Sequence, residues 1–74
     1  MDTVVAAPRF LRLKAVQERT GLPKPTIYNR IAKGTFPRPV SLGSPRAVAW
    51  LESEITSWIL ECVAQSARTR AAQP

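Results

Sequence analysis

The chain has no histidine, a single cysteine and only five acidic residues among its 74. Each scarcity excludes something. Metal ligation needs clustered His, Cys or carboxylate groups, and acid–base or nucleophilic catalysis needs them paired, so no catalytic residue, metal or cofactor is expected and the chain does not read as an enzyme. One cysteine forms no internal disulfide, and a small domain without a disulfide framework belongs to a reducing compartment. No apolar run approaches the roughly 18 residues of a membrane span, and the N-terminus lacks the basic start and long apolar stretch of a secretory signal. The expected location is the cytoplasm. The short length leaves room for one modest core, because a chain this small buries only about 60% of its unfolded surface.

Basic residues are plentiful where acidic ones are scarce. Eleven Lys and Arg give a formal charge of +6. Residues 1–50 hold nine of them against two acidic side chains, whereas residues 51–74 hold two against three. The positive field belongs to the first two thirds of the chain and calls for an anionic partner, either nucleic acid or an acidic membrane surface. The membrane is the weaker choice, because the most amphipathic segment, Ser53–Ala67, carries acidic residues on its polar face.

Met1–Pro8 is small and polar and reads as a disordered leader. From Leu13 the run LKAVQERTG predicts a helix of about two turns, with Leu13 and Val16 inward and Gly21 as its left-handed stop, followed by an apolar Leu22. Pro25 disfavours helical geometry at Lys24 but suits a first helical position, so the second helix is expected over Pro25–Lys33, ended by Gly34. At 100° per residue Ile27, Tyr28, Ile31 and Ala32 share one half of that helix, and Thr26, Asn29, Arg30 and Lys33 share the other. Pro37 and Pro39 forbid helix further on. Pro39–Leu42 and Ala47–Trp50 read as two short strands turned at Gly43, Ser44 and Pro45, a hairpin with Arg46 near its tip and Arg38 at its base. Leu51, Ile55, Trp58, Ile59, Cys62 and Val63 recur at helical spacing, so a third helix begins near a capping Ser53 and supplies much of the core. Cys62 then reads as a buried structural thiol, and Trp50 and Trp58 as packing residues rather than base-stacking ones. Past Ala67 the helix is expected to fray into a disordered tail, Arg68–Pro74.

The expected fold is therefore mainly α: one winged helix-turn-helix domain over residues 9–67, with three helices and a two-stranded hairpin wing. Its informative feature is the polar stripe on the second helix. A helix fits the major groove of double-stranded DNA, where Asn pairs bidentately with adenine and Arg with guanine. Thr26, Asn29 and Arg30 are the candidate base readers, and Lys14, Lys24, Tyr28 and Lys33 the candidate backbone contacts. Arg38 and Arg46 frame the wing, where phosphate or minor-groove contact is expected. Arg12 and Arg19 on the first helix are weaker candidates. The rival reading from another class is a protein-interaction module, an adaptor or antitoxin-like subunit that binds an acidic protein.

These pieces, in order TGL, TIYNRI, the Lys33–Pro39 run KGTFPRP, LGSPRAVAW and WLESEI, resemble an AlpA-type regulator of the MerR-like winged-helix group, which also includes phage excisionases. The resemblance covers about residues 10–63. It implies a transcriptional regulator of a bacterium, prophage or integrated element, or alternatively an excisionase that directs an integrase. It also implies binding to repeated short DNA sites beside further copies of the chain, with an integrase or RNA polymerase as a further partner. The helix Pro25–Lys33 would be the recognition helix, with Arg46 on the wing. The chain departs from the family pattern at Pro23 and Pro25, where a serine usually starts that helix: the side-chain cap is missing, and Pro25 removes a backbone N–H.

Overall fold

The computed structural model describes residues 7–72, so the leader expected before Arg9 falls mostly outside the described residues. The order of elements is β1 (Phe10–Leu11), α1 (Leu13–Thr20), α2 (Lys24–Ala32), β2 (Val40–Ser44), β3 (Ala47–Leu51) and α3 (Glu52–Ala72). The mainly helical winged helix-turn-helix holds, and its hairpin gains a third strand. β1 pairs antiparallel with β3, Phe10 opposite Leu51 and Leu11 opposite Trp50, giving the sheet order β1-β3-β2. Two strands alone are marginal in water, and the short β1 converts the hairpin into a sheet with a covered central strand. A run of two residues carries no periodicity, which is why this strand is invisible in the sequence.

α1 ends as expected. Gly21 adopts a left-handed φ of 75° and its N–H donates to the Gln17 carbonyl at 2.8 Å. α2 begins one residue earlier than the proline rule suggests. Pro23 is its N-cap, and the Ile27 N–H reaches the Pro23 carbonyl at 3.1 Å. Lys24 and Pro25 occupy positions whose N–H groups have no partner inside a helix, so the missing proline N–H forfeits nothing there. Three residues separate the two helices. Past Lys33, the N–H groups of Gly34 and Thr35 donate back to the carbonyls of Ile31 and Arg30 at 3.0 and 2.9 Å. That paired closure requires the left-handed φ of 76° that Gly34 supplies.

The wing strands run slightly longer than expected, and the chain reverses at Pro45–Arg46. Gly43 lies within β2 at an irregularity between Ser41 and Ser44 rather than in the turn. β3 passes into α3 without a loop. Ser53 is therefore the second residue of the helix and not its cap: the Glu52 N–H donates instead to the Arg9 carbonyl at 2.8 Å, extending the β1–β3 pairing into the helix start.

Leu11, Val16, Ile27, Phe36, Trp50 and Ile55 form the core, with Leu13, Ala15, Leu22, Ile31, Val48, Trp58 and Ile59 packed around it. Both tryptophans are packing residues, as expected. The Trp50 indole N–H donates to the Pro37 carbonyl and that of Trp58 to the Thr35 carbonyl, each at 3.0 Å. Phe36 sits edge-on to Trp58 with centroids 4.9 Å apart. The carbonyls of Thr35 and Pro37 thus tie the connection from α2 to β2 to the two tryptophans.

Two expectations for α3 are corrected. Its apolar stripe is covered only as far as Ile59; Cys62 is exposed, and Val63 is 57% exposed. The helix also continues through Arg68 and Arg70 to Ala72 rather than fraying at Ala67. Twenty-one residues span about 31 Å, longer than the small body the helix packs against, so its far half has no neighbouring element to cover it.

Candidate nucleic-acid interface

Side chains from three parts of the chain converge on one cleft. Arg12, Leu13, Lys14 and Gln17 come from the start of α1, Lys24 and Tyr28 from α2, and Arg46 and Val48 from the wing, around a space of about 450 Å³. The four cations Arg12, Lys14, Lys24 and Arg46 are all exposed. No acidic residue lines this cleft. Gathering like charges raises the local positive potential, and an anion seated among them relieves the repulsion.

Tyr28 serves two ends at once. Its ring stands edge-on to the buried Trp50 with centroids 6.4 Å apart, and its side chain reaches the cleft. The contact with Trp50 anchors one edge of the ring while the rest of the side chain stays exposed.

The polar stripe of α2 lies beside this cleft. Ile27 is buried and Ile31 half-buried, which turns Asn29, Arg30 and Lys33 outward, all exposed. Thr26 is half-buried, and Ala32, grouped with the inward residues in the sequence, is exposed. At 100° per residue, Lys24 and Tyr28 lie on the flank facing the wing, Thr26 and Arg30 on the opposite flank, and Asn29 and Lys33 between them. A groove that receives α2 would thus meet the basic cleft on one side and Arg30 on the other.

Of the residues singled out in the sequence, Lys14, Lys24, Tyr28 and Arg46 are brought together. Arg38 is not. It lines a separate hollow of about 720 Å³ with Phe36, Trp58, Glu54 and Glu61, and that hollow shares no residue with the basic cleft. Arg19 is also drawn elsewhere, its guanidinium donating to Thr56 Oγ1 at 3.0 Å and tying α1 to α3. Arg12 joins the cleft more fully than its place just before α1 suggests. Gln17 went unnoticed in the sequence, although it stands one turn after Lys14 on the same face.

The geometry defines a small winged helix-turn-helix with a basic cleft between its helices and its wing. The sequence pattern of the family described as prophage CP4-57 regulatory protein (AlpA) matches residues 9–63. The chain belongs to the AlpA family. It is 49% identical over 55 residues to the uncharacterized protein ORF88 of Enterobacteria phage P4, covering 74% of this chain and 61% of that protein. It is 38% identical over 60 residues to the DNA-binding transcriptional activator AlpA of Escherichia coli, covering 73% of this chain and 84% of the relative. The matched region contains the whole core: it opens one residue before β1 and stops at Val63, four residues past the last core-packed residue of α3. Among the described residues no helix is long and apolar enough to cross a membrane, and no group of three or more metal-ligating side chains occurs.

Proposed function

We propose that the chain is a sequence-specific regulator of transcription from a prophage or integrated element, working in the cytoplasm by binding double-stranded DNA. The observation that carries this reading is the convergence of Arg12, Lys14, Lys24 and Arg46 on one cleft beside the exposed face of α2. The relative named as a DNA-binding transcriptional activator supports it. In this reading α2 lies in the major groove, where Asn29 and Arg30 read base edges and Thr26 contributes an apolar or hydroxyl contact at the flank. The cleft holds the phosphate backbone through its four cations, Tyr28 and Gln17, and Lys33 adds a contact past the end of α2. Arg38 stands apart from this cleft, beside the hollow that Glu54 and Glu61 also line. Further copies of the chain occupy repeated sites alongside.

Selection from a random duplex pool tests this directly. The full chain should enrich a defined short sequence and bind it at least about a thousandfold more tightly than random DNA of equal length, the lower end of ordinary specificity ratios. Equal affinity for selected and random duplexes would remove sequence reading from the function. No binding at all at low salt would favour a protein-interaction module.

A further inference from the structure

α3 carries a second row, of small residues around one leucine, that is largely exposed. Ile55, Trp58 and Ile59 face the core. On the opposite side Ser53, Ser57, Leu60, Ala64, Ala67 and Ala71 recur at intervals of four, three, four, three and four, the spacing of a helix that packs along another helix. Leu60 is 61% exposed at the centre of this row, and Val63 flanks it. One flank carries Glu54, Glu61 and Arg68 at heptad spacing, and Arg68 already approaches Glu61 at 3.4 Å within the chain. The other flank carries Thr56, Val63 and Arg70.

We infer that this row receives α3 of a second copy, running antiparallel. Charge and size choose both the occupant and its direction. In an antiparallel pair like flanks meet. With Ala64 on the two-fold axis, Glu61 of each copy faces Arg68 of the other, and Val63 faces its own counterpart. Leu60 then sets into the space above Ala67 of the second copy, large against small, while Ser57 opposes Ala71 and lets the helices approach closely. A parallel pair brings opposite flanks together, Thr56 against Glu61 and Val63 against Arg68, and forms no ion pair. One leucine among alanines and serines offers little apolar area, so association is weak and reversible in free solution. Two copies held on neighbouring DNA sites would be joined at a high effective concentration. This surface serves the contact between copies in the proposed function, but it is measured without DNA, so its failure and a failure of DNA binding are separate results.

Sedimentation equilibrium of the full chain should show a monomer–dimer equilibrium in the upper micromolar range. Leu60→Glu should weaken it by about tenfold or more while leaving the circular dichroism melt of the dilute protein unchanged. In a Cys62→Ser background, Ala64→Cys should form a disulfide-linked dimer on oxidation. Leu60→Cys should not, because eight residues separate it from its counterpart along the axis, about 12 Å. A chain that stays monomeric at every concentration, or a Leu60→Glu variant that associates like the parent, overturns the contact. Leu60→Cys cross-linking as readily as Ala64→Cys overturns its direction.

Discussion

Trp50 does several jobs with one side chain. It is fully buried, its N–H holds the Pro37 carbonyl, and its ring sets the position of Tyr28 at the cleft. Trp50→Ala should destabilise the fold by about 3–5 kcal/mol through the cavity it leaves. Trp50→Phe keeps most of the volume but strands a carbonyl, and should lose about 1–3 kcal/mol. Urea denaturation followed by circular dichroism measures both, and a Trp50→Phe variant as stable as the parent would mean that the hydrogen bond contributes nothing. On the surface the two arginines of the interface should differ in kind. Arg30→Ala should lose about 1–3 kcal/mol of binding and relax the preference at particular bases, whereas Arg46→Ala should weaken selected and random duplexes alike. Titrating both variants against both duplexes checks this. The same loss on both duplexes for Arg30→Ala would remove it from base reading.

Among the elements, α3 shows that periodicity and burial are different things. Ile55 and Val63 both belong to the same apolar stripe, eight residues apart, yet one is fully buried and the other mostly exposed. Ile55→Ala should therefore destabilise by about 2–5 kcal/mol. Val63→Ala should stay within about 0.5 kcal/mol, as surface changes do. Chemical denaturation of dilute protein, where any association is absent, separates the two. A loss of several kcal/mol at Val63 would show that the far half of α3 folds back onto the body. The start of α2 teaches a related lesson. Pro23 and Pro25 leave it without a side-chain cap, and it holds because Ile27 and Ile31 pack beneath it. Short helices draw most of their stability from such packing rather than from their ends.

For the whole molecule, the charge pattern decides how binding responds to salt. A clamp that neutralises about five phosphates gives a slope of log affinity against log salt near −4 to −5. Fluorescence anisotropy on a selected duplex across a salt series measures it, and a slope near −1 would show that the cleft does not hold the backbone. Replacing both Lys14 and Lys24 with Ala should flatten the slope by about two units. Removing Arg38 should barely change it, since that side chain lies in the hollow that also holds Glu54 and Glu61.

The helix-turn-helix, its glycine stops, the hairpin and the polar stripe on α2 were legible in the sequence, because each depends on contacts within a few residues. Gly21 and Gly34 supply backbone angles that other residues adopt reluctantly, and Ile27 and Ile31 mark a buried face by spacing alone. The family likeness was legible for the same reason, as it rests on short ordered motifs. What only the tertiary structure decided depends on residues far apart in the chain. β1 exists because β3 offers it a partner, and Glu52 needs no cap because Arg9 accepts its N–H. Arg12, Lys14, Lys24 and Arg46 become one cleft only after the wing folds against the two helices, and the same folding leaves Arg38 outside it. Burial has the same origin: the stripe on α3 predicts which residues are able to enter a core, but the length of the body beside it determines that Ile59 is covered while Cys62 and Val63 are not.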